Sequence, residues 1–389
     1  MRRALPAVAV AVTLITVWPA ARSAFHEPKT WVFFGAAMLG AVLTLPGWSW
    51  TALPLLALTA VQPWRSPEAG LVALAFAWAL VAWPSLLVDQ RRLTRIVGVA
   101  GAVVGVIVVL QALGLDWLAP EGLPARLRLY GTLGNPDFVA SALLPVAVLL
   151  ASPLPDPVAS QRRRPQGLWP RGERGTDFRF LLLVAIVPAL VLTRSFGTLL
   201  AALAAGLVLA LHRRGKGVVA VLALCGLLAL ALVGRDAGQA LAGRRYLVSV
   251  ALPHVLDAPL LGHGLGATVL AWPEWELAYW QARCPDAACV AADPQRRFAA
   301  LQDHLHADWL EWLLERGVLG VAALLLALGA PLLVHWRRAD PFLLAALAAL
   351  LARSLVDFPL HRPADLCLLA ALVAQVSSPP TPPSSSSTS

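Results

Sequence analysis

Apolar runs of about 15 to 22 residues recur along most of this chain, the length an α-helix needs to cross a hydrocarbon core of about 30 Å. They fall at about 4–20, 30–46, 48–62, 69–88, 96–115, 138–152, 179–193, 196–212, 217–233, 306–334, 340–356 and 364–376. Hydrophobic residues make up 58% of the sequence and charged residues 14%, against about 25% in a soluble domain. The runs are continuously apolar rather than alternating, which excludes a closed β-barrel. The chain is therefore expected to be all-α. We expect a polytopic membrane bundle of about 12 transmembrane helices over residues 1–376, with a long loop, 235–305, before the tenth span. The tail 377–389, SSPPTPPSSSSTS, lacks apolar periodicity and is expected to be disordered.

The first run follows Met1-Arg2-Arg3 and resembles a signal peptide, but Arg22 stands where a cleavage site wants a small residue, so a retained span is expected. Trp18, Trp31, Trp48, Trp50, Trp64, Trp83 and Trp117 lie near span ends, as an interfacial belt would. With the N-terminus inside, the inner segments hold about twice the Arg and Lys of the short outer loops. That bias predicts both termini in the cytoplasm and loop 235–305 outside.

The net charge of +9 follows from the same bias, so nucleic acid is not an expected partner; the aromatic residues sit in spans and at their ends rather than in a basic groove. Cys225 and Cys367 fall in apolar spans. Cys284 and Cys289 share the long loop, where a disulfide is open to them if that loop faces an oxidising compartment. There is no Walker motif. Gly262-His263-Gly264-Leu265-Gly266 lacks the strand and βαβ unit of a dinucleotide site, and reads instead as a tight re-entrant turn. His254 and His263 read as solvated loop histidines.

Several arginines break the inside bias. Arg194 lies in a turn with almost no room for a loop, Arg244 and Arg245 open an amphipathic stretch, and Arg126 and Arg128 precede Tyr130-Gly131. A guanidinium presents a planar fork matched to phosphate oxygens and stays charged. Together these residues suit a lipid-linked phosphate or pyrophosphate; the competing reading is that each snorkels or pairs with a nearby acid. At the same expected depth, Leu301 to Gly320 begins with Asp303-His304-Leu305-His306-Ala307-Asp308 and continues as a helix carrying Glu311, Glu315 and Arg316. Titratable groups at the mouth of a membrane helix are costly unless they work or are paired. His304 and His306 form an H-x-H pair with no identified third ligand, so a base that takes a proton from an attacking hydroxyl is the more economical role.

These pieces resemble the O-antigen ligase family, part of a superfamily that also holds O-antigen polymerases and protein O-oligosaccharyltransferases. The family motif is His, then Asn, Ser or Gln, nine residues, Gly, two residues, then Gly, Thr or Tyr. Here His306 is followed by Ala307, nine residues, Gly317, two residues and Gly320; Ala307 departs at the second position. Gly131 to Phe138, Thr193-Arg194-Ser195, Arg245 with Pro259 to Gly266, and Asp357-Phe358-Pro359-Leu360 carry the rest of the likeness, over roughly 126–362.

The resemblance implies a metal-independent transfer, with no cofactor and no ATP, at the periplasmic face of a bacterial inner membrane. The donor would be a glycan on undecaprenyl pyrophosphate, and the acceptor a lipid A–core sugar. His306 would be the base, with His304, Asp303 and Asp357 as support. Arg194 and Arg245, with Arg244 or Arg128, would bind the pyrophosphate. Within the superfamily the alternatives are a polysaccharide polymerase or a protein oligosaccharyltransferase. Outside it the alternative is a lipid-linked sugar transporter, which should show paired half-bundles and midplane charges.

Overall fold

The computed structural model describes residues 4–18, 25–44, 49–86, 90–118, 129–152, 178–212, 215–232, 237–299 and 304–377. Twelve of its helices correspond one for one to the twelve apolar runs. They are α1 (Leu5–Ile15), α2 (Glu27–Thr44), α3 (Leu53–Val61), α4 (Pro67–Ala82), α5 (Gln90–Ala112) and α6 (Pro136–Leu150), then α7 (Phe178–Thr193), α8 (Phe196–Leu211), α9 (Gly215–Ala231), α13 (Asp308–His335), α14 (Pro341–Arg353) and α15 (Pro363–Ser377). The segment expected to be a long loop is itself largely helical, with α10 (Ala237–Ala251), α11 (Ala267–Arg283) and α12 (Ala287–Ala292). The expected disordered tail and most of the basic loop 153–178 lie outside the described residues, although α15 runs on through Ser377.

Pro67–Leu86, Gln90–Ala112 and Asp308–His335 are long and apolar enough to cross a membrane, and eight shorter helices are apolar throughout. Large hydrophobics such as Leu207, Leu230, Leu325 and Leu333 face outward, as they would toward lipid. This is the helical bundle of a membrane protein. In its core α14 packs on α8 and α6, α5 on α7, α2 on α4, and α1 on α5 and α15. Small residues at the contacts let the backbones approach: nothing larger fits at Gly105, where a Cβ would stand 2.6 Å from the Ala185 carbonyl oxygen. Of the tryptophans assigned to the interfacial belt, Trp18, Trp31, Trp50 and Trp117 are exposed, but Trp83 is fully buried against Phe33. Proximity to a span end does not tell a core-facing indole from a lipid-facing one.

A second, smaller core gathers Tyr246, Val250, Trp272, Trp275 and Trp280 with Leu305, just before α13, and Leu314 within it. Cys284 and Cys289 are disulfide-bonded at its edge. The N-terminal turns of α13 thus sit between two cores, and the charged side chains of those turns are sealed where the cores meet.

Candidate active site

Four segments that are distant in sequence supply the site, and each is shaped by its own residues. In Gly131 to Phe138, the Gly131 N–H donates to Gln111 Oε1 at 2.9 Å, and Asn135 caps α6 by accepting from the Asp137 N–H at 2.8 Å. Pro136 then takes the first helical position, where its missing N–H costs nothing. In Thr193-Arg194-Ser195, α7 turns into α8 through a single left-handed residue, Arg194, with φ 50°. His306, just before α13, has φ 52°. Among the described residues these are the two non-glycine positions with positive φ.

The fourth segment, Arg353 to Asp365, ties the others together. Arg353 is 2% exposed. Its Nη1 donates to Ser195 Oγ at 2.9 Å and Thr198 Oγ1 at 2.7 Å. Its Nη2 donates to the Asp137 carbonyl at 2.8 Å and, with Nε, to Asp357 Oδ2 at 3.0 and 3.1 Å. Arg362 Nη1 donates to the same Asp357 oxygen at 3.1 Å, and Arg362 Nε donates to Asp365. Burial opposes the charge on Asp357, but the Arg362 and Arg353 guanidiniums outweigh it and hold the carboxyl well below its usual range.

The other Asp357 oxygen, Oδ1, faces His306 Nδ1 at 3.7 Å, an ion-pair distance rather than a hydrogen bond. The His306 side chain is 44% exposed, whereas Asp357 is buried. Phe358 spaces the histidines: His304 stacks on its ring at 4.3 Å and His306 meets it edge-on at 5.0 Å. Beneath them, His304 Nδ1 lies 2.7 Å from Glu311 Oε1, and His361 Nδ1 lies 2.7 Å from Asp308 Oδ1. Asp308 also accepts from the Leu360 N–H at 2.8 Å. Burial disfavours the charged form of His361, but Glu311, Asp308 and Glu315 overcome it and raise its pKa well above the ordinary value.

Every one of these groups lies at an end of its helix. Asp137 starts α6, Ser195 separates α7 from α8, Asp308 starts α13, Arg353 ends α14 and Asp365 starts α15. Hydrogen bonds from Arg353, Arg362 and the Asp308 N–H join these ends directly, so they lie together on the bundle.

The glycine motif has a backbone explanation. Gly317 has φ 63° and ψ −173° and breaks α13 into 308–316 and 318–335. The turn 259–266 enters that break: Val318 and Leu319 N–H donate to the carbonyls of Pro259 and Leu260, while His263 and Gly264 N–H donate to those of Leu314 and Glu315. A Cβ on Gly317 would stand 2.3 Å from the Leu260 carbonyl carbon, and one on Gly262 2.3 Å from that of Glu315. The re-entrant turn is thus present, and it sets the angle at which the site-bearing half of α13 leaves the bundle. Its histidines are not merely solvated: His263 Nε2 lies 2.8 Å from the His254 carbonyl, and His254 stacks on Trp275 at 4.8 Å.

Residues 180–325 match the model of the O-antigen ligase family. Over these residues the chain is similar to the O-antigen ligase family. No curated protein matches the chain. The resemblance of its motifs to this family is borne out, and it implies a glycosyltransferase-like ligase working in a membrane between a lipid-linked glycan donor and a glycan acceptor. The matched stretch includes Arg194, Arg244, Arg245, His304 and His306; the clamp from Arg353 to Asp365 lies beyond it.

The structure brings His306, His304 and Asp357 into one cluster and joins the Arg194 turn to it through Ser195. Arg194 is exposed and its Nε donates to the Ala231 carbonyl at 2.6 Å. Arg245 is exposed and Arg244 half-buried on α10, whose Tyr246 shares the second core with Leu305; the network around His306 is built without either guanidinium. Arg128 and Asp303 lie outside the described residues. Sequence reasoning singled out none of Arg353, Arg362 and His361, and gave Asp308 and Glu311 no individual role. The signal available was spacing: Arg353 and Asp357 are four apart and Arg362 and Asp365 three apart, at the ends of apolar helices where a charge needs a partner. One further group has ligand-like geometry: the facing atoms of His304, Glu311 and His361 lie within 4.8 Å of one another and could accept a divalent cation.

Proposed function

We propose that this protein transfers a glycan from undecaprenyl pyrophosphate to a sugar hydroxyl of lipid A–core, at the periplasmic face of the inner membrane, with both termini cytoplasmic. His306 takes the proton of the acceptor hydroxyl as its oxygen bonds to the anomeric carbon. The bond from that carbon to the pyrophosphate oxygen breaks, and the leaving pyrophosphate keeps the electron pair. Asp357 beside Nδ1 orients the imidazole so that Nε2 receives the proton, and it stabilises the imidazolium that results. Arg194 and Arg245, with Arg244 or Arg128, meet the negative charge that develops on the leaving group. His304 packs the Phe358 ring that positions His306.

One observation carries this reading. The two non-glycine residues with left-handed backbones among the described residues are Arg194 and His306, the proposed charge stabiliser and the proposed base. Such backbones cost about 1–3 kcal/mol and persist where the surroundings over-determine them, typically at functional sites. Here the over-determination is visible, because Arg353 bonds Ser195 on one side and Asp357, which faces His306, on the other. The gathering of the charged groups at joined helix ends supports an enzyme with a surface-facing site over a transporter with a through-path.

The test is transfer in proteoliposomes with an undecaprenyl-pyrophosphate glycan and a lipid A–core acceptor. Labelled acceptor is expected from wild type, with a loss of a hundredfold or more in His306→Ala and Arg194→Ala at unchanged folded protein. Longer lipid-linked chains with no labelled acceptor would assign polymerase activity instead. Full activity in His306→Ala would remove it as the base.

A further inference from the structure

A cavity of about 210 Å³ lies beside the Arg353–Asp357–Arg362 clamp, between the start of α2, the turn before α6 and the start of α15. Phe25, Leu133 and Phe138 give it apolar walls, and His26, Lys29, Arg362 and Asp365 give it polar ones. Arg362 is 4% exposed and Asp365 1%, yet Arg362 Nη2 and Asp365 Oδ1 are buried with no hydrogen-bond partner among the described residues. Each residue uses its other polar atoms: Arg362 spends Nη1 on Asp357 and Nε on Asp365 Oδ2. A donor and an acceptor are thus left over on two residues that line one cavity. Leaving such groups unmet costs about 1–3 kcal/mol each, so their retention points to a ligand that meets them.

The chemistry of that ligand follows from the pair. An unmet carboxylate oxygen repels a phosphate but accepts from a hydroxyl, and an unmet guanidinium N–H donates to one. A neutral polyol with adjacent hydroxyls satisfies both, while its C–H groups meet the apolar walls. Lys29, 2% exposed and donating from Nζ to the Thr16 carbonyl, adds another donor to the same wall. We propose that this cavity is a subsite for one sugar ring, held by Arg362 Nη2 and Asp365 Oδ1. This rests on the glycan-transfer reading, which names neither these residues nor this cavity. Arg362 also bonds Asp357, so a sugar seated here touches the side chain that positions the partner of His306.

The ring belongs either to the donor glycan or to the acceptor glycan, and steady-state transfer separates the two. In proteoliposomes of the full chain, Asp365→Asn and the cavity-filling Leu133→Phe are compared with wild type, varying each substrate in turn. A tenfold or larger rise in KM for one substrate, with the other KM unchanged, is expected in both variants; the affected substrate carries the ring. Unchanged KM for both substrates overturns the subsite and leaves the transfer reading intact. Leu133 makes no part of the ion network, and thermal melting confirms that each variant is folded; Phe25→Ala, at the half-buried wall, replaces any variant that is not. Equilibrium binding of labelled lipid-linked glycan, and separately of labelled lipid A–core, to His306→Ala protein with and without Leu133→Phe is independent of turnover. Tenfold weaker binding of either probe supports the subsite even if wild type transfers nothing. Equal affinity, or no binding of either probe, overturns it.

Discussion

Arg353 donates to Ser195 at 2.9 Å across 158 positions of sequence, and so fastens the turn that carries Arg194 to the loop that carries Asp357. Gly197 makes room for this contact: a Cβ there would stand 3.1 Å from the Arg353 guanidinium carbon. The active-site candidates are therefore held by a buried cation that is not itself one of them.

Asp357 answers two guanidiniums, so removing it leaves both underpaired. Breaking a buried ion pair from one side costs about 3–5 kcal/mol. Asp357→Ala is expected to lose about that much stability, read as a fall in melting temperature in detergent. Asp357→Asn should keep more of the fold yet lower kcat, because the side chain facing His306 Nδ1 is then neutral.

Gly317→Ala should be among the most damaging single-atom-scale changes. A backbone at φ 63° and ψ −173° is open essentially to glycine alone and costs an L-residue about 1–3 kcal/mol. The added Cβ also meets the Leu260 backbone, which is held by its own hydrogen bonds to 318–319. Loss of folded protein or of more than about 2 kcal/mol is expected by thermal melting; near-wild-type stability would mean the kink is not fixed by this contact.

Ala307 occupies the N-cap of α13 and offers no side-chain acceptor to the helix. The family motif has Asn, Ser or Gln there, of which Asn and Ser are strong N-caps. Part of the loss is made good by the fold, since the Asp308 N–H donates to the Ser354 carbonyl at 3.0 Å. Ala307→Ser is expected to stabilise the protein by about 0.5–1 kcal/mol, visible as a higher melting temperature with transfer activity retained.

His361 makes stability depend on pH. It faces Asp308, Glu311 and Glu315, with the His304 ring 5.1 Å away, and its pKa is raised well above 6.5. A raised histidine contributes fully below its unfolded pKa, near 6.5, and its contribution declines as pH rises from there through the folded value. Melting experiments from pH 6 to pH 9 should show stability falling by up to about 1.4 kcal/mol per pH unit. His361→Gln should flatten that slope; an unaltered slope would exclude His361 as the linked group.

His304, Glu311 and His361 read as a hydrogen-bonded support, since the Glu311 oxygens already receive the Leu305 N–H at 2.9 Å and face His304. Transfer is therefore expected to survive chelation by EDTA. Loss of activity that is restored by a divalent cation would make the three residues ligands instead.

The sequence by itself determined the twelve bundle helices, because burying a backbone in an apolar solvent leaves helix as the open choice and writes it as length and composition. It also marked His306, Arg194, Asp357 and the Gly317 spacing, each tied to local chain geometry or to a motif. Trp83 went astray because position near a span end does not reveal which neighbour a side chain meets. The helices inside 235–305 were obscured by weak apolar content; only Arg244-Arg245 and the amphipathic residues after them hinted at one. The tertiary structure alone decided the clamp. Arg353 meets Ser195, Thr198, Asp137 and Asp357 because four helix ends converge, and a buried charge takes its partners from whatever the packing brings within hydrogen-bond reach. Such partners are set by distance in space, which spacing along the chain records only when both lie on the same turn of helix.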